Sequence, residues 1–354
     1  MILVINAGSS SLKVSLFQTD LHCVADGMIT EIGGAGTLAV NGAKTPVTSI
    51  DHADALTQIQ AAFQHIGHDS TQIAAAAHRV VHGGTQCTTP ARITLQVLRA
   101  IADCVPLAPL HNPVNLSGIH AVAASAPDLP QYASFDTAFH ATNPDVATRY
   151  AIPAAQAAQG IRRYGFHGLS YANMVADFGT ALPARLLAFH LGNGASLCAI
   201  KEGQSVATSM GYSPLSGLTM GTRSGDIDGA AVLRIARALG IDGTDHLLNK
   251  QSGLMALAGD NNMKALLERD DADARFAVAH FCYWAARHAG SAIVAMGGLD
   301  AVAFTGGIGE NAAPVRDRIM AHLACFGDTP VHVIAADEEK QIARDALGLI
   351  AKGR

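Results

Sequence analysis

Met1-Ile2-Leu3-Val4-Ile5-Asn6-Ala7-Gly8-Ser9-Ser10-Ser11-Leu12-Lys13 opens the chain. An apolar run of strand-forming residues meets a polar side chain, a glycine, three hydroxyls and a lysine. The run reads as a buried strand and the Gly-Ser cluster as a tight turn. Such a turn presents backbone N–H groups and hydroxyls, and Lys13 adds a point positive charge. This combination suits phosphate, or a metal carrying phosphate. A plain hairpin would look much the same, so the decisive observation is a second copy. Leu187-Ala188-Phe189-His190-Leu191-Gly192-Asn193-Gly194-Ala195-Ser196-Leu197 repeats the pattern about half a chain later. Gly8…Ser11-Leu12 aligns with Gly192…Ser196-Leu197, one residue longer. Two similar strand-turn-strand units predict two similar domains facing one ligand.

Composition narrows the classes. A length of 354 residues suggests about two domains, and 49% hydrophobic with 15% charged residues describes a globular chain with a sizeable core. A net charge of −5 argues against nucleic acid or an anionic membrane as the main partner. An anionic ligand must then be held by individual Arg, Lys and His residues. Six scattered cysteines with no C-x-x-C fit reduced thiols in a cytoplasmic protein better than a disulfide frame or a zinc cluster. The N-terminus has no basic n-region of a signal peptide, and no apolar run reaches spanning length.

Outward from the two repeats, the pattern alternates strands and helices and predicts an α/β fold. Residues 12–50 read as short strands, with helices over 54–66 and 94–104. Pro113 suits the first turn of a helix to about Ala124, with Asn112 as its cap. Composition shifts near 141–160, where the domain change and hinge are expected. Residues 208–228 form a long Gly/Ser/Thr-rich loop without periodicity, and such loops are usually functional. Helices are expected at about 229–239 and 272–296, then a strand at Ala301–Thr305, a helix to about Cys325, a strand at Val331–Ala335 and a final helix.

Arg79, His167 and Arg223 stand in glycine-rich, otherwise apolar loops, where the backbone can approach a ligand and the cations can surround a transferring phosphoryl group. His78 and His82 have i,i+4 spacing but lack the helix and the Glu of a zinc motif, so zinc is not expected. Gly306-Gly307-Ile308-Gly309-Glu310-Asn311 follows a strand and opens a helix. Its spacing is not G-x-G-x-x-G, so nucleotide binding by N–H groups at a helix N-terminus is the better functional reading, with a plain βα turn beside it. No P-loop motif exists. Asp136 ends a strand and either caps a turn or polarises a nucleophile. Glu338 and Glu339 open the last helix, either complementing its dipole or completing a Mg²⁺ shell.

Taken in order, these segments resemble the acetate kinase family: Asn6–Lys13, His78–Gly84, Ala108–Pro113, Phe135–His140, Arg163–Gly168, His190–Gly194, Met220–Asp228 and Thr305–Asn311. The family belongs to the sugar kinase, heat-shock ATPase and actin superfamily. The resemblance implies an α/β fold of two duplicated actin-like, ribonuclease H-like domains with a nucleotide cleft. Their expected ranges are 1–141 with 340–354, and 142–339. It further implies reversible in-line phosphoryl transfer from ATP to acetate, with Mg²⁺ or Mn²⁺ as cofactor and a homodimer as assembly. Asn6 and Glu338 match the metal site, and Lys13 lies near the nucleotide phosphates. Arg79 matches the residue that binds the substrate carboxylate or its phosphate. Asp136 matches the catalytic acid, and His167 and Arg223 the groups that stabilise the transition state. Val81, Leu110, Phe166 and Pro214 match the acyl-methyl pocket, and His111 a further active-site histidine. His190, Leu191, Gly192, Asn193 and Gly194, Asp260, Asn261 and Asn262, and Gly307, Ile308, Gly309, Glu310 and Asn311 match the nucleotide site.

The chain departs from the family pattern by being shorter, by Gly229 after Asp228, by Leu169 and Tyr171 in place of a Thr and a His, and by matching the adenosine segment only at Asp260. A propionate kinase, a non-catalytic ATP-binding protein of the actin type and a dinucleotide oxidoreductase are the rival readings. The last lacks its fingerprint, and the retained Arg79, His167 and Arg223 argue against the second.

Overall fold

The computed structural model describes residues Met1–Gly353 and contains two compact units, Met1–Phe139 with Asp337–Arg354, and His140–Ala336.

The first unit is built on the opening hairpin. Strands β1 (Ile2–Ala7), β2 (Ser11–Phe17), β3 (Cys23–Thr30), β4 (Ala35–Val40), β5 (Ala43–Thr48), β6 (Ala75–Val80), β7 (Ala91–Arg92) and β8 (Gln131–Phe135) form one sheet. Its order is β5-β4-β3-β2-β1-β6-β8-β7. β1 pairs antiparallel with β2 and parallel with β6, which places β1 at the centre. A central strand is covered on both faces, which is why Ile2–Ile5 is continuously apolar rather than alternating. Leu3 and Ile5 pack under helix His52–His65, through Leu56, Ile59 and Phe63, and under Val122 of helix Asn112–Ser125. Alternation sends Ile2 and Val4 the other way. The C-terminal helix Glu338–Ala351 packs on β1, β6 and β8 with Ile342, Ala343 and Ala346 buried.

The second unit repeats the frame. β9 (Arg185–Leu191), β10 (Ala195–Lys201), β11 (Gln204–Thr208), β12 (Ala301–Thr305) and β13 (Val331–Val333) lie in the order β11-β10-β9-β12-β13. This is the order β3-β2-β1-β6-β8 of the first unit, and every pairing keeps its direction. The internal repeat read from the two Gly-Ser turns is therefore a repeat of topology. Helix Ala272–Met296 packs against β9, β10 and β11, its buried stripe including Ala274, Ala277, Ala285, Ala289 and Ala292. Small side chains let a long helix lie close to a sheet.

Two local expectations need correction. Asn112 does not cap its helix: His111 occupies the cap position without a side-chain cap bond, and the Asn112 amide turns back to the main chain of His82 and Ile101. Packing against a neighbouring loop has taken a side chain that local propensity assigned to capping. The helix expected to stop near 239 resumes after a break at Gly240, whose φ is +73°, and runs to Lys250. Two further helices, Gly253–Ala258 and Met263–Glu268, are too short for a periodic signal. Residues 209–228 hold no helix or strand, as expected. No helix among the described residues is long and apolar enough to cross a membrane.

Candidate active site

In the first unit the side chains matched to the site gather where β1, β6 and β8 end and the C-terminal helix begins. Arg79, near the end of β6, donates from Nε and Nη2 to the two carboxylate oxygens of Asp136 at 3.0 and 2.6 Å, and from Nη1 to Asn6 Oδ1 at 3.2 Å. Glu338 lies 3.9 Å from Arg79 Nε. Glu339 accepts from Asn6 Nδ2 at 2.9 Å and from Lys13 Nζ at 2.8 Å. Burial alone would lower the Arg79 pKa, but Asp136, Glu338 and Glu339 outweigh it and hold the guanidinium charged. Burial, with Asp136 and Glu339 close by, pushes Glu338 up to about 7 despite the opposing pull of Arg79. Glu339 is shifted the other way: Lys13 and Asn6 overcome its burial.

The loops bearing these groups are held from beneath by helix Asn112–Ser125. Asn115 Oδ1 accepts from the Val81 N–H while its Nδ2 donates to the Ala7 carbonyl, at 3.0 Å each. One buried amide thus ties the loop after β6 to the end of β1. Asn112 does the same for His82. The sequence signal for Asn115 is an asparagine inside an apolar helix, where the residue is disfavoured unless its side chain is used elsewhere. Val81 is buried and Leu110 is 55% exposed. His111 stands at the helix cap. His78 bonds Gln131, and burial lowers both His78 and His82 to about 4.

In the second unit His167, His190, Gly194 and Arg223 come together. His167 has φ +60°, a conformation non-glycine residues seldom adopt, and sits at the cap of helix Gly168–Phe178. Its ring stacks on His190 with centroids 4.1 Å apart. A Cβ placed on Gly194 would lie 3.3 Å from Arg223 Nη1 and 3.4 Å from His167 Nε2, so both donors crowd the bare face of one glycine. Arg223 donates to the Pro214 carbonyl at 3.3 Å, and burial lowers its pKa. Among the described residues no acid forms an ion pair with it. A partly buried guanidinium without a carboxylate is a ready anion site. Phe166 is buried beside His167.

A cavity of about 330 Å³ in the same unit is lined by Gly192, Asn193, Asn261, Asn262, Gly307, Ile308 and Asn311. These are seven of the residues matched to the nucleotide, brought together from three distant segments. Met263, Lys264, Leu267, Ala312 and Pro314 complete the wall and were not anticipated, since nothing but tertiary packing brings them there. His190, Leu191, Gly194, Asp260, Gly309 and Glu310 do not line it. Asp260 accepts from the Asn262 N–H, and Asn262 caps helix Met263–Glu268. Glu310 accepts from the N–H groups of Gly306 and Ala336, closing the turn after β12.

No group of three or more His, Cys, Asp or Glu among the described residues is arranged to hold a metal. The two residues matched to the metal, Asn6 and Glu338, offer an amide oxygen and a carboxylate, oxygen ligands of the kind Mg²⁺ takes. This ion keeps most of its waters and takes one or two carboxylates plus substrate phosphate.

The architecture and the two clusters define a phosphotransferase class of protein, and the comparisons agree. The profile of the Acetokinase family matches residues 1–348. Acetate kinase of Streptomyces griseus is 43% identical over 97% of this chain and 89% of its own length, and that of an Arthrobacter species is 41% identical over 99% of each. Among solved structures, Porphyromonas gingivalis acetate kinase superposes with a TM-score of 0.92 at 32% identity, covering 99% of both chains. A propionate kinase from Francisella tularensis gives 0.92 at 35% identity, covering 97% of this chain and 98% of its own. A candidate N-acetylmannosamine kinase from Listeria monocytogenes, 11% identical with a TM-score of 0.52, shares the fold alone. The chain belongs to the acetokinase family.

Proposed function

We propose that this protein transfers the γ-phosphoryl group of ATP directly and reversibly to acetate, giving acetyl phosphate and ADP. The observation that carries the reading is the convergence of Arg223 and His167 on Gly194 with no opposing carboxylate among the described residues. Acetate is already an anion at neutral pH, so the reaction needs no strong base. It needs neutralisation where one anion attacks another's phosphorus. Arg223 and His167 supply donors to the equatorial oxygens of the moving phosphoryl group.

Arg79 uses three of its five N–H donors on Asp136 and Asn6, which leaves two for an incoming carboxylate. The same grip suits Asp136 to orienting Arg79; an acid role for Asp136 requires Arg79 to release one oxygen. Val81, Leu110, Phe166 and Pro214 serve as the wall for the methyl group, with His111 beside the acceptor. Asn6 and Glu338 hold Mg²⁺, or Mn²⁺ in its place, with Lys13 near the nucleotide phosphates. When bound, the metal neutralises phosphate charge. The nucleotide occupies the cavity at Asn193, Asn262 and Ile308, whose volume falls in the usual range for ligand pockets. Domain closure about 141–160 gates the reaction.

The test is hydroxylamine trapping of acyl phosphate from ATP, Mg²⁺ and acetate. Stoichiometric hydroxamate and ADP support the assignment. Slow ATP hydrolysis without hydroxamate would mark an ATP-binding protein instead. The likeness to a propionate kinase keeps one second reading alive. Because one methylene is worth about 1–3 kcal/mol in a hydrophobic pocket, kcat/KM for the two acids decides between them. Six scattered cysteines without a C-x-x-C pattern support a cytoplasmic setting. Exposed Leu233, Leu239, Ile241, Phe276 and Val294 on two helices of the second unit support a homodimer, to be checked as twice the 36.6 kDa chain mass by light scattering.

A further inference from the structure

Behind His167 lies a short hydrogen-bonded chain that the family match does not assign. His167 Nδ1 is 2.9 Å from Ser196 Oγ, and Ser196 Oγ is 2.5 Å from the Tyr171 hydroxyl. Ser196 and Tyr171 are both completely buried, so their protons must be placed on protein acceptors. Tyr171 stands where the resemblance expects a histidine.

Proton directions follow from chemistry. A phenol is a stronger donor and weaker acceptor than an aliphatic hydroxyl. Burial raises the Tyr171 pKa and keeps the phenol protonated. The phenol oxygen is also hydrogen-bonded to the main chain of His190, in the sense that favours the phenolate and therefore accepts there. Tyr171 O–H then donates to Ser196. Ser196, having accepted, sends its own proton to His167 Nδ1. With Nδ1 accepting, the neutral ring keeps its proton on Nε2, the atom that faces Gly194 beside Arg223 Nη1.

We propose that Tyr171 and Ser196 are positioning residues that hold His167 as the Nε2–H tautomer, so that a neutral imidazole presents a fixed donor next to Arg223. No proton leaves His167 in the reaction; the relay sets which nitrogen donates. The consequence for turnover rests on the phosphotransferase reading, whereas the tautomer does not. A neutral donor beside an arginine also avoids crowding two full cations when no anion is bound.

The test is long-range ¹H–¹⁵N NMR on histidine-¹⁵N-labelled protein, with His167 assigned by the loss of its signals in His167→Gln. At pH 8 the wild type should show a protonated Nε2 and an unprotonated Nδ1. Ser196→Ala should abolish that single tautomer, and Tyr171→Phe, which removes one oxygen, should give averaged shifts of both. With hydroxamate formation as the second readout, kcat should fall about tenfold or more in Ser196→Ala, with KM for ATP and acetate within about twofold, since a donor aimed at the transition state is lost. An Nδ1–H tautomer in the wild type overturns the proposal. So does a Ser196→Ala protein that folds, by circular dichroism, and keeps both ring signals and kcat. Unchanged signals in Tyr171→Phe alone remove Tyr171 from the relay. Failure of the acetate kinase assay with the Nε2–H tautomer present leaves the relay standing and overturns the reaction assignment.

Discussion

Arg223 reads differently in sequence and in structure. In the sequence it is a loop arginine between glycines; in the fold it is a partly buried cation with no carboxylate partner among the described residues, aimed with His167 at Gly194. Arg223→Ala should lower kcat by about 10³-fold or more with a much smaller change in KM, measured by hydroxamate formation, because an arginine on a transferring phosphate is worth about 10³–10⁵ in rate. An unchanged kcat would remove it from the transition state. Glu338 carries a pH signature. Its folded pKa, about 7, stands above its ordinary 4.5. Between those values the folded chain holds a proton that the unfolded chain has released, so this group's contribution to stability falls as pH rises from about 4.5 to 7. Urea midpoints at pH 5 and pH 8 should show that loss in the wild type and less of it in Glu338→Gln. With Mg²⁺ at the proposed Asn6–Glu338 site, the same proton must leave before the metal binds, so calorimetric Mg²⁺ affinity should be weaker at pH 6 than at pH 8, and the dependence should vanish in Glu338→Gln.

Helix Asn112–Ser125 shows how an element far from the chemistry in sequence governs it in space. Pro113 announces the start of this helix, and the structure keeps that start. The use of its two asparagines is tertiary, since Asn115 bonds Ala7 and Val81, 108 and 34 residues away. Asn115→Ala would leave a buried carbonyl and a buried N–H without their partner, at a cost of about 1–3 kcal/mol each. Chemical denaturation should therefore show a loss of several kcal/mol, with activity reduced because both site-bearing loops are released. A loss below about 1 kcal/mol would show the clamp to be dispensable. The loop 209–228 was legible as a loop from composition, but the placement of Gly221 was not. A Cβ there would meet Asn193 Oδ1 at 2.0 Å, which shows how tightly the two segments beside the cavity pack. Glu310 and Asp260 mark the opposite limit. Their motif pointed to the nucleotide, and in the fold their carboxylates accept from backbone N–H groups.

The chain builds two units on one five-strand frame, and the first borrows its last helix from the far end of the sequence. Removing residues 337–354 strips β1, β6 and β8 of Ile342, Ala343 and Ala346, while 140–336 keeps every strand of its own sheet. Limited proteolysis of that truncated chain should degrade the first unit and leave a resistant fragment near 140–336; equal digestion of both would show that the second unit does not stand alone.

By itself the sequence determined the α/β class, the duplication and the cationic residues. Periodicity, glycine turns and charge scarcity are local properties, and each is written in consecutive residues. Tertiary structure alone decided the partners: Glu339 rather than Glu338 on Lys13, Asn115 beneath two loops, and Ser196 behind His167. Those pairings join residues dozens to hundreds apart. They depend on side-chain direction and on burial, which turns an unpaired polar atom from a small cost into a decisive one.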